Sequence, residues 1–399
     1  MSSFAREKPT EMEPSPVPLA VPDLAGNEAR YLQECIETGF VSSVGPFVSR
    51  FEKMLVETSG AAGAVATSAG TTALHAALVA LGVGRDDLVI LPSYTFIASA
   101  NAISHAGAEP WLFDIDQDSW TLDATLVDAA LCSECEPSSG GLIHRQSGKR
   151  VAVIMPVFTL GLPADMTKIM EVAGRFKLPV VIDAAAALGS LYEGKKIGQL
   201  GALAVVSFNG NKTITAGGGG AILGNDDTLF AHIRHLTTTA RRSDAYEHDI
   251  IGFNYRMTNI AAAVGCAQLE RLDHFLARKA AVARRYREEL ADLPGVDFFP
   301  EKPGRTSAHW LSGITLQPPA PSLAELAPRL TADGIASRSF WKPMHLQKPY
   351  AGALRTKMPV CETLWPRVLP LPCSTNLTET EQTRVIRAVR TAANTLRSR

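Results

Sequence analysis

Residues 207–220 read Ser207-Phe208-Asn209-Gly210-Asn211-Lys212-Thr213-Ile214-Thr215-Ala216, followed by the glycines Gly217 to Gly220. A single lysine stands in a short polar turn between an apolar strand, Ala202 to Val206, and a glycine run. That placement suits a lysine held by the fold and used for chemistry. A lysine amine acts as a nucleophile when its pKa is lowered, or when its partner is a carbonyl, as in a Schiff base. Glycines beside it let another group approach the backbone closely. Alone, the stretch reads equally as a solvated lysine before an ordinary glycine turn.

Other residues decide between the two. Asp183 ends the apolar run Pro179-Val180-Val181-Ile182, a buried strand, and Ala184 to Ala187 follow. Ligand sites in open α/β sheets lie outside the carboxyl ends of strands. A carboxylate there, followed by small residues, faces a cationic ring nitrogen without crowding. Farther upstream, Ser68-Ala69-Gly70-Thr71-Thr72-Ala73-Leu74 reads as a helix N-terminus. Its N–H groups, the helix dipole and the threonine hydroxyls make an anion site. A lysine for a Schiff base, an acid for a pyridinium nitrogen and an amide nest for a phosphate together point to pyridoxal phosphate.

These motifs resemble those of fold-type I, pyridoxal-phosphate-dependent sugar aminotransferases of the DegT/DnrJ/StrS group. The resemblance runs from about Val17 to the C-terminus. It rests on Gly39 to Glu52 (GFVSSVGPFVSRFE), SAGTTALHAAL, LPSYTFIASANAI, VVIDAAAALGS, SFNGNKTIT and GFNYRMTNIAAAVGCAQLERLD. Within the group the chain is similar to the branch acting on UDP- or GDP-linked 4-keto-6-deoxy sugars, that of bacillosamine, legionaminic acid and perosamine synthesis. The NGNKTIT wording, the stretch HLTTTAR…YEHDIIGFNYRMTN and an insert between about Leu131 and Lys149 favour the UDP-N-acetyl sugar enzymes.

The resemblance implies an α/β fold like that of aspartate aminotransferase. Its large domain has a mostly parallel seven-stranded sheet and its small C-terminal domain is α+β. The expected division is a flexible tail over 1–16, a large cofactor-binding domain over 17–265, and linking helices with the small domain over 266–399. Lys212 would be the Schiff-base lysine and the proton carrier between C4′ of the cofactor and the sugar carbon. Asp183 would keep the pyridine nitrogen protonated, Phe96 would stack on the ring, and Gly70, Thr71, Thr72 and Ser207 would bind the phosphate. Asn254 resembles the residue that reaches the phosphate of the neighbouring subunit, which implies a homodimer with shared active sites. Ala186 stands beside the cofactor where the family usually carries Gln, Glu or His, and Ile182 replaces an acidic residue. The loss at 186 implies a slower reaction, a different sugar, or compensation from elsewhere. Because Lys212 is present, the chain is not read as one of the relatives in which a histidine replaces the lysine and the enzyme becomes a dehydratase.

Composition agrees. A chain of 399 residues exceeds the usual single-core size, so two lobes sharing one site are expected. With 46% hydrophobic and 20% charged residues it can bury a large core. A net charge of −1 and no basic run argue against a nucleic-acid surface. Met1 to Pro16 is polar, with no apolar core of a secretory signal. Apolar runs such as Val151 to Val157 are too short to span a bilayer, so a cytoplasmic protein without membrane partners is expected. Six cysteines in this length form no disulfide framework. Cys132 and Cys135 have C-x-x-C spacing, but no second pair lies at zinc spacing, so it reads as coincidence and no metal is expected. His232 and His235 read as surface or packing residues.

Punctuation sets the order of elements. Helices are expected over Leu24 to Gly39, Thr71 to Leu81 with Gly82 as cap, Phe96 to Ala106 and Ile169 to Phe176. Strands are expected over Leu88 to Pro92, Pro110 to Phe113, Val151 to Val157 and Val180 to Ile182, the alternation of a parallel sheet covered on both faces. One helix runs from Asn259 through Leu269 and another from about His274 to Leu290, where Arg278, Lys279, Arg284, Arg285, Arg287, Glu288 and Glu289 read as a solvated face. Gly295 and Pro300 open the smaller domain. Its stretch Ser339 to His345 lies where relatives place residues near the sugar. His345 is a candidate substrate contact, while Phe340, Trp341 and Tyr350 read as domain core. Arg256 suits a nucleotide phosphate, which pairs well with guanidinium, or an anchor of the dimer.

The expected activity is transfer of an amino group from an amino acid, glutamate, to C4 of a nucleotide-linked (UDP or GDP) 4-keto-6-deoxy sugar, serving surface glycan biosynthesis, with ping-pong kinetics. The alternatives are a C3-sugar or cyclitol aminotransferase, and a catalytically impaired regulatory paralogue that keeps the fold. A nicotinamide-binding Rossmann enzyme lacks its G-x-G-x-x-G after a first strand.

Overall fold

The computed structural model describes residues 15–243 and 246–397. The tail expected over 1–16 lies outside these residues except for Ser15 and Pro16. Strands β1 (Gly63–Thr67), β2 (Asp87–Pro92) and β3 (Glu109–Phe113) are followed by the helices Gly70–Ala80, Ile97–His105 and Ala124–Glu134 respectively. The insert after Leu131 folds as a hairpin of β4 (Cys135–Ser138) and β5 (Gly141–His144). Then come β6 (Arg150–Ile154), the helix Met166–Phe176 and β7 (Val181–Asp183). A short hairpin of β8 (Leu191–Tyr192) and β9 (Lys195–Lys196) precedes β10 (Leu203–Ser207) and β11 (Gly220–Gly224).

The expected continuous ladder is laid down as two. One has the order β1-β11-β10-β7, with β11 antiparallel to both neighbours and β10 parallel to β7. The other has the order β3-β2-β6-β5-β4, parallel through β3, β2 and β6. Parallel bridges, Ile154 with Val180 and Val157 with Asp183, join the two where β6 meets β7. The β4–β5 hairpin occupies the N-terminal half of that β6 edge.

Side-chain alternation explains why these strands read as unbroken apolar runs. In β10, Leu203 and Val205 enter one apolar cluster and Ala204 and Val206 the other; in β2, Val89 and Leu91 oppose Leu88 and Ile90. Helices cover both faces, so both alternating sets are buried. The cluster under Val205 continues through Trp310, Leu311 and Ile314 to Val385 and Val389, so the second lobe shares its core with the sheet.

The chain reaches that lobe along the helix Leu272–Leu290, and the boundary expected at 265/266 falls inside the preceding helix, Asn259–Leu269. There β12 (Val296–Phe298), β14 (Ser312–Leu316) and β15 (Val368–Leu371) form an antiparallel sheet, while β13 (Arg305–Thr306) pairs back onto β8. Helices Leu323–Ala332 and Glu379–Arg397 complete the lobe. One residue read as solvated is buried. Lys279 is 3% exposed and its Nζ donates to the Trp310 carbonyl at 2.8 Å. It lies on the stripe Phe275, Lys279, Val282, Tyr286 that this helix turns to the core, whereas Arg284, Glu288 and Glu289 are exposed.

Three histidines make stability depend on pH. Burial pushes His75, His309 and His345 below the usual histidine pKa. The unfolded chain therefore takes up their protons first, so stability is full above the unfolded pKa and falls as pH drops through it. Each contributes a slope of at most about 1.4 kcal/mol per pH unit. Asp183, raised by burial, acts in the opposite sense at lower pH. The melting temperature should fall between about pH 7 and pH 5.5, and H345Q should flatten that dependence. A flat profile would show that these rings are protonated without loss of the fold.

Candidate active site

A cavity of about 570 Å³ opens at the carboxyl ends of the strands, between the lobes. Ser68, Gly70, Thr71, Phe96, Ser99, Asp183, Ala186, Ser207 and Lys212 line it from the sheet side. Trp310, Arg338, Ser339, Phe340 and Trp341 line it from the second lobe.

At one end the helix Gly70–Ala80 begins where β1 stops. The amides of its first turn have no carbonyl within the helix to bond, and the dipole adds positive character. Glycine is required here by close approach. A Cβ on Gly70 would stand 2.9 Å from Ser207 Cβ, and one on Gly220 would stand 2.6 Å from the Gly70 nitrogen. The helix start is thereby seated against the ends of β10 and β11, beside Ser207. Thr72 does not line the cavity. Its hydroxyl donates to the Ala69 carbonyl (2.8 Å) and accepts from the Ala69 N–H (3.0 Å), so the side chain caps the helix start.

Asp183 ends β7 at 5% exposure. Its Oδ2 accepts from Ser99 Oγ at 2.7 Å and its Oδ1 from the Ala185 N–H at 3.0 Å. Thr95 Oγ1 in turn contacts Ser99 Oγ at 2.9 Å. Burial pushes this carboxyl above the usual range, while Ser99, Ala185 and the Lys212 charge hold it back. Lys212 follows a turn closed by its own N–H to the Asn209 carbonyl, 2.9 Å. Burial lowers its amine to about 8, against the pull of Asp183. An appreciable fraction is therefore neutral near pH 7, where an ordinary lysine has almost none. The amine lies over the Trp310 ring, 3.9 Å from the centroid.

This donor set fits pyridoxal phosphate: a buried acid for the ring nitrogen, helix-start amides with serine hydroxyls for the phosphate, and a lysine amine of lowered pKa for the aldehyde. Phe96 is 54% exposed and lies 6.2 Å from Trp341. Phe340 and Trp341 stack at 4.3 Å and line the cavity, so they wall the site as well as packing the lobe. Ala186 presents only a methyl group, and Ile182 is buried in the apolar cluster on the far side of the sheet.

Several expected contacts lie elsewhere. His345 is not among the cavity's lining residues. It is 5% exposed, with Nδ1 at 2.7 Å from Ser93 Oγ and Nε2 at 3.1 Å from Glu362 Oε1, fastening the second lobe to the end of β2. Asn254 is exposed and Arg256 half-buried, and both sit outside this cavity, their backbones bridged to Thr238 and Thr67. Tyr350 is buried and donates to Asn101 Oδ1 at 2.7 Å. Cys132 is exposed, Cys135 buried, and both are free thiols. His235 pairs with Asp249 at 2.6 Å, a carboxylate distant in sequence. Among the described residues no group of three His, Cys, Asp or Glu is placed to hold a metal, and no helix is long and apolar enough to cross a membrane. Ser99, Trp310 and Arg338 escaped the motif reading. Ser99 had a signal, one helical turn beyond Phe96.

A mixed sheet of this order, with lysine, buried acid and helix-start amides in one interlobe cavity, defines a pyridoxal-phosphate-dependent aminotransferase of fold type I. The chain belongs to the DegT/DnrJ/EryC1/StrS aminotransferase family, which matches it over residues 22–390. It is 41% identical over 377 residues to a GDP-perosamine synthase of Caulobacter vibrioides, covering 94% of this chain and 97% of that one. The structure of S. venezuelae DesV in complex with a ketimine intermediate superposes with a TM-score of 0.83 at 32% identity, covering 94% and 98% of the two chains. DesI in the presence of its TDP-sugar product superposes with a TM-score of 0.85 at 29% identity, covering 97% and 94%.

Proposed function

We propose that this enzyme transfers an amino group from glutamate to the C4 ketone of a nucleotide-linked 4-keto-6-deoxy sugar, working as a homodimer. The observation that carries the reading is the meeting of Lys212, buried Asp183 and the helix start at Gly70 in one interlobe cavity. The GDP in the name of the Caulobacter relative favours a guanosine nucleotide over the uridine nucleotide suggested by the NGNKTIT wording. Bound pyridoxal phosphate supplies the electron sink that lets the amino-bearing carbon lose its proton. The amides of Gly70 and Thr71 with Ser207 would hold the phosphate, and Asp183 would hold the ring nitrogen. The free Lys212 amine would carry the proton. Phe96, Phe340 and Trp341 restrict water, and the charge of Arg338 suits an anionic substrate. Asn254, exposed and outside its own cavity, is free to meet the neighbouring subunit's site.

The test follows absorbance of the pyridoxal-phosphate-loaded protein. Glutamate should shift the near-visible band to shorter wavelength. A GDP-linked 4-keto-6-deoxy sugar should restore the band and yield an amino sugar by mass spectrometry, with parallel double-reciprocal plots. Restoration only by a C3 ketone would move the reaction to that carbon, and a protein that stays colourless would favour the regulatory alternative.

A further inference from the structure

Trp310 is held by restraints that the cofactor-binding set does not require. Its ring covers the Lys212 amine at 3.9 Å. Its indole N–H donates at 2.7 Å to the carbonyl of Asn211, the residue just before Lys212. Its backbone N–H donates to the Leu160 carbonyl at 3.1 Å, and its own carbonyl accepts from Lys279 Nζ at 2.8 Å. Two non-glycine residues beside these bonds are left-handed, His309 (φ 46°) and Leu160 (φ 59°). Such conformations persist only where the surroundings over-determine them. Lys279 adds an independent sign. A buried ammonium is costly unless well hydrogen-bonded, and this one spends its bond on the backbone of the residue under the active-site amine.

A lysine that alternates between covalent and free states needs a defined place for its amine when free. An indole face attracts an ammonium while excluding water from it. We propose that Trp310 is the seat of the free Lys212 amine, and that Lys279, from outside the cavity, is the positioning residue that holds Trp310 in place. The inference rests on Lys212 being the reactive amine of the proposed function. Removing the indole has two opposed effects, because lost cation–π attraction lowers the amine's pKa and new hydration raises it. Burial dominates here, since the amine lies well below its ordinary value despite the facing Asp183 carboxylate. Arg338 lines the same cavity from the second lobe, and Lys279 stands behind Trp310 on the helix Leu272–Leu290.

The experiment titrates the amine in the cofactor-free full-length protein. Lys212 is acetylated with acetic anhydride over about pH 6 to 11 and the extent is read on its peptide by mass spectrometry, beside a thermal unfolding curve. The wild-type midpoint should lie near 8. W310A should raise it by at least about one unit, as water reaches the amine. K279M should raise it by less, and W310F, which keeps an apolar ring, should stay near wild type. Unmoved midpoints in folded W310A and K279M overturn the proposal and leave Trp310 a packing residue. Movement in W310A alone overturns the part given to Lys279. Should K279M not fold, W310A against W310F still decides for the seat. Borohydride trapping of pyridoxal phosphate on Lys212, scored separately, reads the covalent assignment independently.

Discussion

Lys212→Ala abolishes covalent capture of pyridoxal phosphate and lowers turnover by about 10⁴-fold, through loss of both the nucleophile and the proton carrier. The fold survives the change. Lys212 is half-buried on a turn, and its ammonium is desolvated, so removing it relieves a cost instead of opening a core. The melting temperature should therefore hold or rise while the near-visible band disappears. Borohydride should then trap nothing at this position. A K212A protein that kept both the band and its turnover would place the reactive amine elsewhere.

Asp183→Asn has the next largest effect. The amide matches the carboxylate in size but carries no charge to hold a protonated ring nitrogen, so turnover should fall by about 10²- to 10³-fold. Two donors aim at the present side chain, Ser99 Oγ and the Ala185 N–H. An amide accepts from one and presents its own N–H₂ to the other, which loosens the floor of the cavity. Removing the negative charge also withdraws the carboxylate attraction that holds the Lys212 pKa up, so that amine should titrate below about 8. Steady-state kinetics and the acetylation midpoint read these two consequences separately. Unchanged turnover with a lowered Lys212 midpoint would leave Asp183 an electrostatic neighbour without a part in the reaction.

Much of this site was legible along the chain because its parts are local. Asp183 ends an apolar run, Gly70 opens a helix after one, and Lys212 sits in a turn after another. Strand ends and helix starts gather at one edge of an α/β sheet whatever the details of packing. The residues that fall outside the cavity are those whose placement depends on side-chain direction. Thr72 carries a suitable hydroxyl, but its first-turn geometry points it back at Ala69. His345 lies in the expected stretch, yet the lobe packs it against Ser93. Lys279 belongs to a charge-rich helix and is drawn into the core by one helical phase.

The sequence by itself pointed to the class of fold, the alternation of strands and helices in the sheet, the cofactor and a candidate reactive amine, through hydrophobic periodicity, short motifs and their resemblance to a known family. The tertiary structure decided which side chains surround that amine. Ser99 beneath Asp183, Trp310 beneath Lys212 and the aromatic wall of Phe340 and Trp341 come from segments distant in the chain. Their meeting is fixed by how two lobes pack over a common core, and no local pattern encodes that contact.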